Sequence, residues 1–228
     1  LKEMLQFLRY KPIWAAFAAT LIVGTGSSIA GGAGAYFYTY VLGDMKLMSG
    51  VSVIGLIASL VGIVMGPYLA NRFGKKKVYL TAVIISTALN LLRLLDVTSM
   101  ILIYISALIG GVAGGWMVPV NTSIQADNTT YVQYKTGKRA EAAIASLTSF
   151  VSKVAQGLGG AIPGYVIAAY GFVTGASVQP ESINTGIILC ALILPLIFGI
   201  LGLLIFGTQY TLDQKAVIEM DAKINRNN

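Results

Sequence analysis

The sequence contains no histidine, a single cysteine and few charged residues, and each shortage disfavours a class of function. Charged residues make up 11% of the 228 residues, whereas a soluble domain usually carries roughly a quarter. Histidine is the most common general base in enzymes, so its absence leaves acid–base catalysis without its usual residue. The single cysteine, Cys190, excludes an internal disulfide and disfavours a metal site.

The other residues of the sequence offer few groups that could perform catalysis. The sequence shows no paired carboxylates within its apolar blocks, no metal-ligand spacing and no nucleophile with a neighbouring base. We therefore expect that the protein is not an enzyme, that it has no catalytic residues and that it binds no metal cofactor.

Long apolar blocks are what the chain has in abundance. Apolar residues make up 56% of the sequence and stand in continuous runs, which is typical of transmembrane helices. The pattern predicts an all-α membrane protein with six spans, over about residues 12–42, 49–69, 78–94, 99–123, 142–170 and 184–206. These spans form one bundle over residues 1–208, with an interfacial helix before the first span and a charged tail over residues 209–228. The chain begins with Leu1 and shows no signal-peptide pattern, so we expect a fragment without a leader.

The positive residues lie between the apolar blocks, which indicates membrane topology. A net charge of +7 would also suit nucleic acid, but the apolar blocks exclude a nucleic-acid module. The loop GPYLANRFGKKK carries Arg72, Lys75, Lys76 and Lys77, and such clusters stay on the cytoplasmic side of a membrane. We therefore predict a multi-pass protein of the cytoplasmic membrane with both termini of this chain in the cytoplasm.

Small residues recur along the first span, at Gly24, Ser28, Gly32 and Ala35. They permit either close packing against another helix or the lining of a cavity, and the sequence does not separate these alternatives. In the fourth span the run GGVAGGW likewise lets another backbone lie against the helix.

Lys153 is the residue around which the function is organised. It lies in the middle of the fifth span, where an ammonium group is costly unless it faces a cavity or a partner. Its neighbours on one side of the helix form a polar stripe with Ser152 on its flank, and the stripe consists of Ser146, Ser149, Lys153, Gln156 and Gly160. The alternative is a lysine that snorkels to the membrane surface. The distance of Lys153 from the start of the span favours a cavity within the bundle over a snorkelling lysine.

Three segments resemble the glycoside-pentoside-hexuronide:cation symporters, the melibiose-carrier group of the major facilitator superfamily. They are ADNTTYVQYKTGKRAEAAIASLTSFVSKVAQGLGGAIPGY, GPYLANRFGKKK and AYFYTYVLGD. The resemblance implies that the chain is the C-terminal six-helix half of a twelve-helix transporter, built as two three-helix repeats. It implies sugar transport by alternating access in symport with Na⁺ or H⁺. The coupling ion would be liganded mainly by the N-terminal half, which is then an obligatory partner.

The resemblance also implies roles for individual residues. In that family a lysine at the position of Lys153 lies near the sugar and cation sites, and Thr148 and Ser149 match positions that help line the sugar site. Gln156 belongs to the same stripe. From the fourth span we add Asn121 and Trp116, the latter as a stacking platform for a sugar ring or simply as a packed tryptophan.

A second predicted group is a cytoplasmic charge network with a structural or gating role. It comprises Asp127, Arg72, Lys138, Arg139 and Glu141. The family pattern often has acidic residues where this chain has Thr130, Gln133 and Asn71, so any gating ion pair through those positions is absent. An alternative function follows from these departures, namely a transporter-derived membrane protein with a structural or regulatory role and no transport on its own.

Overall fold

The computed structural model describes residues 6–138, 140–176 and 178–226, and over these ranges the protein is all-α, with no β-strand. Of the predicted features, part of the N-terminal interfacial helix and Arg139 lie outside the described residues. The helices are α1 (Lys11–Val41), α2 (Lys46–Phe73), α3 (Lys75–Arg93), α4 (Met100–Thr136), α5 (Glu141–Ala169), α6 (Ser182–Gln209) and α7 (Gln214–Arg226). Two of them contain a π-helical turn, at Phe37–Val41 in α1 and Leu189–Ile193 in α6.

The six long helices coincide with the six predicted spans, and the largest difference is at the end of α4. The fourth span was expected to end near residue 123, with a hydrophilic segment after it, whereas the helix continues to Thr136. Residues 124–136 contain neither glycine nor proline, so nothing interrupts the helix there. It ends at Gly137, which has a positive φ of 69° and caps the helix in the left-handed conformation.

Four of the described helices are long and apolar enough to cross a membrane, namely α1, α2, α4 and α6. Only α3 and α5, among the six long helices, fall short of that criterion. The outward side of α2 shows why a membrane is needed, because Val53, Leu56, Leu60 and Val64 are each more than half exposed. A soluble protein would rarely leave so continuous an apolar surface uncovered.

Two seams of small residues hold the helices together. In the first, Gly62 and Gly66 of α2 lie against α4, and Gly111 and Gly115 of α4 lie against α2, so closely that a Cβ atom at any of the four would overlap the facing helix. The run GGVAGGW of the fourth predicted span therefore lets the backbone of another helix lie against it, as expected.

The second seam joins α1 to α5. Gly24 lies against Ala155, Gly32 against Pro163, and Gly159 against Ser28. Of the two interpretations of the small residues in the first span, the structure thus shows close packing at these three positions.

The two ends of the bundle differ in their charged groups. At the lysine end, defined by Lys75, Lys76 and Lys77, the start of α3 meets the end of α4 and the segment after α6. At the arginine end, Arg93 closes α3 beside the π-helical turn of α1. The predicted charged tail forms α7, which packs Val217 and Met220 against the buried cluster at the lysine end.

Candidate functional site

Lys153 lies near the middle of α5, on a face that no described helix covers. Its side chain is exposed, as are those of Ser146, Ser149 and Gln156, and in the described part of the chain it forms no ion pair. The opposite face of α5 is buried through Ala155, Gly159, Pro163 and Ile167. Lys153 follows Glu141, the first residue of the helix, by a rise of about 18 Å at 1.5 Å per residue. An amine so far from the helix end needs water or a partner on that face.

A small cavity with a mixed polar and apolar lining lies beside this face, where α1, α4 and α5 meet. Its volume is about 130 Å³. Two of the predicted site residues, Thr148 and Asn121, line it together with Ser152. The structure therefore brings Thr148 and Ser152, on the flank of the polar stripe, together with Asn121 of α4.

The polar lining contributed by α4 is larger than the sequence analysis proposed. Asn121, Gln125 and Asn128 all face the cavity, because they are spaced four and three residues apart on one side of the helix. Asn128 is only 1% exposed, and its side-chain oxygen has no hydrogen-bond partner among the described residues. Buried amides of this kind normally have a partner. The spacing was visible in the sequence, but Gln125 and Asn128 lie beyond residue 123, where the fourth span was expected to end.

The hydroxyl groups of the cavity are arranged to accept hydrogen bonds. Thr20 donates to the Ala16 carbonyl at 2.8 Å, and Thr148 donates to the Ile144 carbonyl at 2.9 Å. Each hydroxyl oxygen therefore turns its lone pairs away from its own helix. The lining offers amides and hydroxyls without a charge, which is the chemistry that recognises sugar hydroxyl groups.

The cavity is too small to hold a sugar by itself. Sites for ligands of that size usually measure roughly 300–1,000 Å³, against about 130 Å³ here. Any sugar bound at this place must therefore also occupy space outside the described bundle, next to the uncovered face of α5. Ser149, Lys153 and Gln156 border that space and not the cavity.

The structure does not place Trp116 in this cavity. Its ring is partly buried and packs against the cluster that contains Val120 and Ile124, and its indole nitrogen has no partner among the described residues. Gly66 of α2 lies against its backbone. This position matches the packed tryptophan that was the alternative to a stacking platform.

Asp127, the acid of the predicted charge network, is paired with Lys75. The Lys75 ammonium donates to the Asp127 carboxylate at 2.6 Å, and the two side chains are only 19% and 10% exposed. Next to it, the Lys76 ammonium donates to the Tyr210 carbonyl at 2.6 Å. The pair joins α3 to α4, and the second bond joins α3 to the end of α6.

The other predicted members of the network are placed differently. Arg72 donates to the Tyr68 hydroxyl at 2.9 Å and lies 5.4 Å from the Phe73 ring centroid. Lys138 and Glu141 are exposed, and Arg139 lies outside the described residues. Sequence reasoning missed Lys75 as the partner of Asp127, because the three successive lysines indicated only membrane topology.

Tyr210 belongs to the same end of the bundle. Its ring stacks on Phe206 with centroids 4.4 Å apart, and it is 1% exposed. Burial raises the pKa of its phenol above the usual value, and the negative charge of Asp127 acts in the same direction. The phenol therefore stays protonated at neutral pH, and its buried hydroxyl has no hydrogen-bond partner among the described residues.

Comparison with known proteins identifies the family. The family described as MFS/sugar transport protein matches residues 1–214. The chain belongs to this family. The resemblance to symporters of the major facilitator superfamily that we noted in the sequence is thereby confirmed, as is the all-α membrane fold of a major-facilitator half-domain.

Individual relatives are named as transporters or symporters. A putative sulfoquinovose importer of Escherichia coli K12 is 24% identical over 226 residues, which are 99% of this chain and 48% of the relative. The symporter YjmB of Bacillus subtilis is 30% identical over 94% of this chain and 47% of its own length. A glucuronide carrier protein homolog of Escherichia coli K12 is 28% identical over 93% and 48%. The chain thus spans about half the length of these relatives.

Proposed function

We propose that the chain is the C-terminal half of a secondary active transporter that carries a sugar in symport with Na⁺ or H⁺. The observation that carries this proposal is the polar face of α5, where Lys153 and its neighbours are exposed while the opposite face of the helix is buried. Membership of a sugar-transport family and the half-length match to symporters support it. An N-terminal six-helix half, from the same polypeptide or a second chain, would cover this face.

In this proposal the sugar lies between the two halves, against α5 and α4. Lys153 donates to sugar hydroxyls or to an acidic group of the sugar, and Ser149 and Gln156 add neutral hydrogen bonds. Thr148 and Asn121 bind sugar hydroxyls from the small cavity. The halves then rock around this midplane site, so that it opens alternately to each side of the membrane.

The coupling cation is assigned to the missing half. Na⁺ requires several oxygen ligands, which usually include carboxylates, and the described residues contain no group of three acidic, histidine or cysteine side chains that could hold a metal ion. Proton coupling likewise needs a titratable group near the sugar. Coupling to Na⁺ and coupling to H⁺ therefore both require acidic residues that approach Lys153 from the partner half.

The experiment that tests the proposal is sugar uptake by the complete transporter. Lys153→Ala is expected to reduce the initial rate of uptake of a labelled glycoside at least tenfold, because the ammonium contacts the sugar or its coupling acid. The matched control is Lys46→Ala, which removes an exposed lysine at the start of α2. Equal uptake by both variants would refute the assignment of Lys153 to the sugar cavity.

The orientation of the bundle is a separate part of the proposal. We place the lysine end, both termini and Lys138 in the cytoplasm, because basic loops are rarely translocated. In a Cys190→Ala background, Lys138→Cys should react with an impermeant maleimide only in inside-out vesicles, and Asp44→Cys only in right-side-out vesicles. Reaction of each position only from the opposite side would show that the orientation is the reverse of the one proposed.

The alternative function, a transporter-derived protein with a structural or regulatory role, is favoured by the neutral residues Thr130, Gln133 and Asn71. It predicts that the complete protein is inserted in the membrane but takes up no glycoside. Uptake by the wild-type protein would exclude it, and so the same assay separates the two functions.

A further inference from the structure

A second cation, Arg93, lies at the arginine end of the bundle, far along α3 from the lysines. It lines a cavity of about 250 Å³ between α2, α3 and α4, next to the π-helical turn of α1. The guanidinium lies 5.1 Å from the Phe37 ring centroid, and the Nε atom is buried without a hydrogen-bond partner among the described residues. A buried guanidinium nitrogen without an acceptor is unusual.

The cavity contains donors but no acid. Its polar lining consists of Tyr38, Ser86, Asn90, Arg93 and Ser106, and its other residues are apolar or glycine. Tyrosine and serine hydroxyls and the asparagine amide can all donate to an anion. The positive charge of Arg93 is therefore surrounded by groups that favour a bound negative charge.

The nearby acids are engaged in turns of their own segments. Asp96 accepts hydrogen bonds from the Thr98 amide at 3.1 Å and the Thr98 hydroxyl at 3.0 Å. Asp44 accepts one from the Lys46 amide at 2.8 Å. Both acids are exposed, and neither forms an ion pair with Arg93 within the part of the chain that the structure describes. The described residues thus supply no counter-charge at this cavity.

We propose that this cavity is a binding site for one small oxyanion, a carboxylate, sulfonate or phosphate group held by Arg93 with Asn90, Tyr38 and Ser106. A guanidinium presents two parallel N–H groups that match the two oxygens of such a group. A cavity of about 250 Å³ accommodates the anion with the few atoms attached to it. The site is distinct from the Lys153 face, and the proposal does not depend on sugar transport.

The test measures thermal unfolding of the complete purified transporter in a maltoside detergent, which carries no anionic group. Sodium methanesulfonate is titrated against sodium chloride at equal concentration. The wild type should show an additional, saturable rise in the unfolding temperature of about 3 °C. Lys46→Gln should retain this rise, and Arg93→Gln should lose it.

A second variant keeps the proposal testable if Arg93→Gln does not fold. Ser106→Leu preserves the positive charge but fills the cavity from α4, and it should also abolish the rise. Identical titrations for the wild type and both variants would overturn the proposal, because the cavity then binds no oxyanion. Such a result is also expected if an acid from the missing half already pairs with Arg93.

Two further arms identify the natural source of the oxyanion. If it is a lipid headgroup, added phosphatidylglycerol should raise the unfolding temperature of the wild type and remove its response to methanesulfonate. If it is the acidic group of a transported sugar, Arg93→Gln should raise the KM for an acidic sugar at least fivefold and leave that for a neutral glycoside unchanged. The methanesulfonate titration measures binding without transport, so a failure of sugar uptake does not affect its result.

Discussion

Lys75 and Lys153 are both cations of a largely apolar bundle, but they differ in exposure and in ion pairing. Lys75 lies at the lysine end, where it is 19% exposed and donates to Asp127 at 2.6 Å. Lys153 lies in the middle of α5, where it is exposed and forms no ion pair with any described residue. One lysine has its counter-charge within the same six-helix bundle, and the other has none among the residues that the structure describes.

This difference predicts that Lys75 stabilises the bundle and that Lys153 serves transport. A buried ion pair between α3 and α4 fixes the two helices relative to each other, since either charge alone would be costly. An unpaired lysine within a membrane segment is by default a candidate functional residue, because its charge needs a partner or a cavity. The comparison therefore predicts that changes at the lysine end alter stability, whereas changes on the Lys153 face alter transport.

The largest expected effect is the loss of the Lys75 ammonium. Lys75→Gln should lower the free energy of unfolding by about 3 kcal/mol, because it leaves the Asp127 carboxylate mostly buried without its partner. The measurement is thermal unfolding of the purified complete transporter. Lys77→Gln, a change at an exposed lysine two residues away, is the control and should have little effect. The double variant Lys75→Gln with Asp127→Asn should recover part of the loss, and its failure to do so would contradict a direct pair.

The next effect contrasts the two faces of α5 at neighbouring glycines. Gly159→Ala should lower the free energy of unfolding by about 2 kcal/mol, because its Cβ atom would overlap Ser28 and approach the Ile29 nitrogen to 2.9 Å. Gly160→Ala meets nothing within 4 Å in this chain and should be neutral or stabilising by up to about 1 kcal/mol. Equal destabilisation by both would show that the Lys153 face is packed as tightly as the α1 seam.

A smaller effect is expected at the cavity beside Lys153. Thr148→Val keeps the shape of the side chain and removes one hydroxyl, so the KM for the sugar should rise about three- to tenfold, the equivalent of one hydrogen bond. Uptake measured over a range of sugar concentrations checks this. Thr208→Val removes an exposed hydroxyl that also bonds its own helix and should leave the KM unchanged. An unchanged KM in Thr148→Val would remove this cavity from the sugar site.

The smallest effect should be that of Lys153 on stability. Lys153→Gln should change the free energy of unfolding by less than about 0.5 kcal/mol, because the ammonium forms no ion pair with any described residue. Thermal unfolding of the same preparation used for uptake tests this. A loss comparable to that of Lys75→Gln would mean that Lys153 has a structural partner.

The sequence predicted the helices well and pointed to the small residues of the two seams, because these signals are local. Continuous apolar runs identify α1 to α6, and the small residues at Gly24, Gly32 and Gly115 indicate close approach wherever a neighbour lies. The polar stripe on α5 follows in the same way from residues three and four apart. Each of these patterns is complete within a single helix.

What the sequence could not predict depends on which helices meet. Asp127 and Lys75 are 52 positions apart, and nothing local distinguishes Lys75 from Lys77 as the partner. The amides of Gln125 and Asn128 form a clear helical stripe, but their role as a cavity lining appears only when α4 meets α1 and α5. Trp116 shows the same limit, since its packing in the core depends on how α2 and α4 approach each other.

The most direct test of the central claim is the accessibility of the face that carries Lys153. Ser149→Cys, in a Cys190→Ala background of the complete transporter, leaves the lysine in place and puts a thiol beside it. We predict that a water-soluble maleimide labels this thiol and that the transported sugar slows the reaction. Labelling only by a lipid-soluble maleimide, with no protection by sugar, would place the face in the lipid and contradict the account.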